Sequence, residues 1–225
     1  MSKGKYNLVC VAHPDDETIF FGGTILQKSA AVPWRVVCAT DGNADNDGAR
    51  RKKQFETACK MLGVKQLDWV GLPDRYEQRL DTNSLEAYLR KLPTPSAIYT
   101  HGVLGEYGHP HHQDVSVSVH RAFSGHKNLF SVAYNSFPEK LISLSESQFK
   151  KKAKILTDVY GSETSRFLNL LPVTFSEGYQ RLSLKEVEVL YDYFTGNSEL
   201  SEKALKRYPW LKEFLETNRD RARPF

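Results

Sequence analysis

At 225 residues, 40% of them hydrophobic, the chain can build one α/β domain with a sizeable core, and residues 1–225 are expected to form a single domain. The net charge of +4 is mild and the basic residues are mostly dispersed, so charge gives no ground for a nucleic-acid partner. No window approaches the roughly 20 apolar residues of a membrane span.

From the start of the chain, Tyr6 to Ala12 (Y-N-L-V-C-V-A) is short, apolar and β-branched, which predicts a buried strand. Pro14 cannot extend a ladder, so the strand stops there and a helix follows from near Thr18 to before Pro33. Trp34 to Ala39 predicts a second strand, Thr40 to Gly48 a polar loop, and Arg50 to Leu62 an amphipathic helix stopped by Gly63. Leu67 to Val70 is a third strand, Leu85 to Leu92 a helix, and Ala97 to Thr100 a fourth strand. His112 to Phe123 carries two periods at once: Val115, Val117 and Val119 alternate, while Val115, Val119 and Phe123 follow i, i+4. A helix is the better reading, because a helix is due there in the βαβ order. Leu129 to Ala133 gives a fifth strand. Glu146 to Tyr160, Leu184 to Phe194 and Ser201 to Asn218 read as helices, joined by a less regular stretch around Pro172. The alternation implies right-handed crossovers: a Rossmann-like, mainly parallel sheet flanked by helices, with a helical C-terminal portion.

Two basic runs, Arg50-Arg51-Lys52-Lys53 and Lys150-Lys151-Lys152, read as solvated helix faces. Cys10, Cys38 and Cys59 lack C-x-x-C spacing and are expected as buried, inert thiols in a reducing compartment. The apolar stretch near the N-terminus is too short for a signal peptide and is closed by Asp15-Asp16, so a cytoplasmic location is expected. Nothing in the sequence speaks to oligomeric state.

Two segments concentrate chemistry. Ala12-His13-Pro14-Asp15-Asp16-Glu17 sets an imidazole and two carboxylates at the carboxyl end of the first strand, where open α/β sheets gather ligands. About a hundred residues later, Glu106-Tyr107-Gly108-His109-Pro110-His111-His112 follows the fourth strand and a glycine-bearing loop. His13, Asp16 and His112 make a nitrogen and oxygen set that suits a borderline divalent metal, with His109 beside an open position. Asp15 can then act as general base, a protonated His109 can stabilise an oxyanion, and Tyr107 can donate a further hydrogen bond or proton. Isolated pairs of aspartates are usually helix caps and unpaired histidines usually surface or helix-end residues, so His101, His120 and His126 are given no role. Trp69, Tyr76 and Tyr179 either stack on a ligand or pack in the core.

The constellation A-H-P-D-D-E…G-H-P-H-H resembles the PIG-L/LmbE-like N-deacetylase family. Thr40-Asp41-Gly42, Gly71-Leu72-Pro73-Asp74, Leu62-Gly63-Val64 after Arg51, and Glu177-Gly178-Tyr179 extend the likeness to about residue 180. The resemblance implies zinc, with ferrous iron or another divalent metal as alternatives, on His13, Asp16 and His112. It also implies Asp15 as base, His109 and Tyr107 at oxyanion-stabilising positions, and Arg51 and Asp74 in contact with a sugar. The expected activity is metal-dependent removal of an acyl group, in the first place acetyl, from an N-acetylglucosamine-type glycoside or conjugate. Two departures bear on substrate choice: His111 stands where the family usually has an aspartate, and Asn43 where it usually has a glutamate. The alternatives are a glycan-binding module with a retained but inactive metal site, and a non-haem iron oxygenase, whose usual all-β barrel this alternation opposes.

Overall fold

The computed structural model describes residues 6–29, 31–76, 78–165, 170–200 and 204–217. Among these, the strands are β1 (Asn7–Val11), β2 (Trp34–Thr40), β3 (Gln66–Leu72), β4 (Ala97–Thr100), β5 (Leu129–Val132), β6 (Lys140–Ser143) and β7 (Ser176–Gln180). The helices are α1 (Asp16–Lys28), α2 (Gly48–Leu62), α3 (Thr82–Leu89), α4 (Pro110–Ala122), α5 (Glu146–Asp158), α6 (Gly161–Thr164), α7 (Leu184–Phe194) and α8 (Pro209–Thr217). They form one sheet in the order β3-β2-β1-β4-β5-β7-β6, parallel from β3 through β5, with β7 antiparallel to both of its neighbours. This is the expected α/β class, and it is not the all-β barrel of the oxygenase alternative.

The order reverses between β1 and β4, the strands that carry the two chemical segments at their carboxyl ends. Such a switch point opens a crevice because the following helices pass to opposite faces of the sheet. One face packs Phe21, Trp34, Phe55, Tyr99 and Tyr179 against α1, α2 and α5; the other packs Leu8, Leu85, Ile98, Val115 and Val119 against α3 and α4. A third cluster, Val117, Val187, Leu190 and Tyr208, seats α7 against α4. α4 is a helix, with His109 capping it and Pro110 at its start, so the 3.6-residue period prevails over the valine alternation.

Several expectations need correction. β6 and β7 were not anticipated: K-L-I-S is a four-residue edge strand, and S-E-G-Y-Q has one large apolar side chain, so neighbours rather than propensity make them strands. α3 begins three residues earlier than expected, at Thr82, because the Asp81 side chain accepts from Ser84 N. Each basic run buries one member. Arg51 is 8% exposed, and Lys152 is fully buried with Nζ 2.7 Å from Glu177 Oε1. The predicted helix Ser201 to Asn218 resolves into a 3-10 turn, Ala204–Arg207, and α8, broken at Pro209; its first three residues and Asn218 lie outside the described residues. All three cysteines are buried and free, as expected. No helix among the described residues is long and apolar enough to cross a membrane.

Candidate active site

Pro14 ends β1 and forces a tight reversal into α1. Asp15 absorbs it with φ 117°, a conformation costing an L-residue about 1–3 kcal/mol. Neighbours hold it there: Asp15 N donates to Glu17 Oε2 at 3.0 Å, and Asp15 O accepts from Thr18 N and Ile19 N at 2.9 Å. Glu17 is itself fully buried, accepting also from Tyr160 OH at 2.9 Å. The reversal sets His13 N against Asp16 Oδ2 at 2.8 Å, and the Arg51 guanidinium covers Pro14 O and approaches Asp15 Oδ2 at 3.5 Å. Gly42, with φ 59°, lets the loop after β2 pass this turn, since a Cβ there would lie 3.1 Å from Arg51 Cβ and 3.2 Å from Pro14 Cγ.

The loop after β4 supplies the other half. Glu106 Oε2 accepts from His112 Nδ1 at 2.5 Å and from His101 Nδ1 at 3.1 Å. His101 Nε2 lies 3.0 Å from Ala12 N and 3.3 Å from Asp16 Oδ2, and against burial the Glu106 and Asp16 carboxylates push its pKa up to about 10. Against the upward push of burial, the two imidazoles hold the Glu106 carboxyl at about 2. His112 is stacked between His101 and His109, with ring centroids 3.9 and 4.6 Å away, and its Nε2 is directed to Asp16 Oδ1 at 3.4 Å. His101 and Glu106, given no role from sequence, are therefore parts of the site. The signal available was the need of a ligating histidine for an acceptor on its other nitrogen.

His109 differs from the protonated residue expected. Its Nδ1 accepts from His111 N at 3.2 Å as the cap of α4, and burial, then the imidazoles of His112 and His13, push its pKa down to about 2. The ring is neutral and offers an Nε2–H. Tyr107 is 64% exposed, its ring 5.5 Å from that of His112 and 5.9 Å from that of His109. Asp74 Oδ1 lies 3.7 Å from His13 Nε2 and 3.5 Å from His111 Nδ1. Arg51 also bonds Glu163, so its guanidinium braces the Asp15 turn while lining the cleft. Of the aromatic candidates, Tyr76 stands at the cleft and bonds Asp45 at 2.7 Å, Trp69 packs on Phe55, and Tyr179 is core. His120, expected at the surface or at a helix end, stands in the last turn of α4, 2% exposed, its Nδ1 2.7 Å from Ser116 O.

These residues open onto a cleft of about 700 Å³. Its lining includes the polar His13, Asp15, Arg51, Asp74, His109 and His111 and the largely apolar Ile19, Phe20, Tyr134, Pro138, Leu141 and Pro172. His13, Asp16 and His112 can each place one donor atom within 4.8 Å of the others. Tetrahedral bonds of about 2.1 Å set neighbouring ligand atoms about 3.4 Å apart. His112 Nε2 to Asp16 Oδ1 is 3.4 Å and His13 Nδ1 to Asp16 Oδ2 is 3.5 Å. His112 Nε2 is buried with no hydrogen-bond partner among the described residues, an arrangement a cation satisfies. The donor set fits a divalent metal. Against burial, the imidazoles of His112 and His101 hold Asp16 well below the usual carboxylate range.

The chain is 31% identical over 141 residues to a probable N-acetyl-α-D-glucosaminyl L-malate deacetylase of Bacillus cereus, a match covering 53% of this chain and 61% of that protein. Its fold is that of N,N'-diacetylchitobiose deacetylase from Pyrococcus horikoshii, with TM-score 0.60 at 20% identity over 80% of this chain and 85% of the other. It is shared more distantly by the 4-carboxy-2-hydroxymuconate hydratase of Pseudomonas putida, with TM-score 0.53 at 17% identity over 80% and 98% of the two chains. The family model described as GlcNAc-PI de-N-acetylase matches residues 8–123, the stretch that runs from the second residue of β1 past the end of α4 and holds both chemical loops: the chain belongs to the PIG-L family.

Proposed function

We propose that this protein is a metal-dependent N-deacetylase that hydrolyses the acetamide of an N-acetylated amino sugar carried on a small glycoside or conjugate. The observation that carries this reading is the convergence of His13, Asp16 and His112, with an unsatisfied His112 Nε2, beside Asp15 in an open cleft. The family membership and the deacetylase names of the relatives support it. A divalent cation on these three residues supplies Lewis acidity and eases ionisation of water; the nitrogen and oxygen donors suit zinc first, with ferrous iron or another divalent metal as alternatives.

The chain's own groups do the rest. Asp15 takes a proton from the attacking water, its carboxylate held by the turn and the Arg51 guanidinium. Neutral His109 donates Nε2–H to the oxygen that becomes negative as the acetamide carbonyl is attacked, and Tyr107 adds a second donor from the exposed side. Asp15 then returns the proton to the departing amine. Asp74 and the other polar residues of the lining bind sugar hydroxyls, and its apolar residues receive the carrier. The test is acetate release from a panel of N-acetylglucosaminides and their conjugates. Chelated protein is expected to be inactive and zinc or ferrous iron to restore turnover. No release from any member, chelated or reloaded, overturns the reading and leaves a glycan-binding module.

A further inference from the structure

His111 lies between the Gln78 carbonyl and His13, with Asp74 Oδ1 farther off, 3.5 Å from its Nδ1 and 3.7 Å from His13 Nε2. Its Nε2 is 2.8 Å from the main-chain oxygen of Gln78, and its Nδ1 is 3.0 Å from Nε2 of His13. A carbonyl oxygen only accepts, so the His111 proton that faces it sits on Nε2. A neutral ring then has a bare Nδ1, which must accept, and His13 Nε2 must donate. The lone pair of His13 is thereby left on Nδ1, the nitrogen 3.5 Å from Asp16 Oδ2. The competing arrangement, a doubly protonated His111 donating to both neighbours, turns His13 over. Its proton then sits on Nδ1, between the ring and Asp16, where no cation can be bound.

We infer that His111 is a positioning residue that sets which nitrogen His13 presents to a cation, through a chain of hydrogen bonds starting at the Gln78 carbonyl. The two histidine ligands are then oriented by different chemistries. His112 is turned by a carboxylate, since Glu106 Oε2 accepts its Nδ1–H at 2.5 Å. His13 is turned by an imidazole, at 3.0 Å, with the Asp74 carboxylate farther off at 3.7 Å from the same nitrogen. His111 is 4% exposed, and α4 begins beneath it with Pro110. The segment around Gln78 also carries Asp74 and Tyr76, which line the cleft, so the same loop that meets a substrate fixes the hydrogen-bond order at His13.

The hydrogen-bond order belongs to the metal-free chain, so it is read independently of the proposed activity; only the affinity comparison below rests on that reading. Long-range proton–nitrogen correlation spectra of the ¹⁵N-histidine-labelled full chain, with His13 and His111 assigned by substitution, are expected to show both rings protonated on Nε2. His13 protonated on Nδ1 overturns the inference. Zinc affinity is then measured by chelator competition for the wild-type chain and for His111→Asn, His111→Asp and His111→Leu. Asn and Asp place an oxygen acceptor where Nδ1 stood and are expected to bind zinc nearly as the wild type does. Leu has no acceptor and is expected to bind about 10- to 100-fold more weakly. A His111→Leu chain that folds and binds zinc as tightly as wild type overturns the inference. A wild-type chain that takes up no zinc overturns the deacetylase reading instead, and the spectra still decide the order of protons. If His111→Leu does not fold, the wild-type spectra together with His111→Asn and His111→Asp carry the decision.

Discussion

Asp15 is the residue at which the chemistry and the backbone meet. Its φ of 117° suits asparagine better than alanine, because short polar side chains tolerate positive φ. Asp15→Asn is therefore expected to keep the turn and the zinc affinity while lowering kcat by about 100-fold or more, the usual worth of a general base; steady-state kinetics beside chelator competition check it. Glu106→Gln tests the carboxylate behind His112. Its loss of charge is expected to weaken zinc binding about 10- to 100-fold, read by the same competition. The ligands and Asp15 were legible in the sequence because histidine, aspartate and strand end coincide twice. Glu17, His101 and Glu106 were not, since they act through contacts 5 to 143 positions away in the chain, with Ala12, His112, Tyr160 and one another. Spacing carries no trace of such pairings.

Elements hold these residues by cross-ties that reach into helix interiors. Glu177 on β7 accepts from Gly23 N at 2.7 Å and Thr24 N at 2.8 Å, amides that a helix such as α1 normally uses in its own ladder. Lys152 on α5 completes the cluster, with both charged side chains nearly sealed from solvent. Removing one partner strands the other charge, so Lys152→Met is expected to cost about 3–5 kcal/mol in urea unfolding. Gly23 allows the close approach: a Cβ there would stand 2.5 Å from Leu144 Cδ1. The run Lys150 to Lys152 looked solvated because periodicity reports which face of a helix is apolar, not whether a long cation finds a carboxylate beneath it. β7 escaped notice for a related reason. Its Glu177 and Gly178 disfavour a strand locally and are accommodated only by their neighbours on β5 and β6.

For the whole molecule, the alternation of strand and helix was enough to predict the sheet, because parallel crossovers admit few alternatives. It said nothing of the antiparallel edge, which follows no crossover pattern. The same fold in a hydratase shows that architecture alone does not choose the reaction; the residues at the switch point do. Acid stability is also a property of the whole. Burial pushes His120 from its ordinary 6.5 down to about 4, so between those values the unfolded chain binds a proton that the folded chain refuses. Stability is full above pH 6.5 and falls as pH drops towards 4, by about 3 kcal/mol from this group. Glu106, held at about 2, continues the loss in the same direction below 4.5. Urea midpoints measured across this range should slope accordingly, and His120→Phe should lessen the slope between 6.5 and 4, leaving the share of His109, which is pushed down to about 2.

The bracing of the first loop by late residues also governs where the polypeptide can be cut. Tyr160 steadies Glu17, Glu163 grips Arg51, and Glu177 occupies two amides of α1, yet all three lie downstream of the stretch 8–123 that carries every assigned ligand. A polypeptide shortened to that stretch would retain the donor atoms and lose their scaffolding. Expressed separately, residues 1–123 should lack a cooperative melt and should recover one on mixing with the remainder.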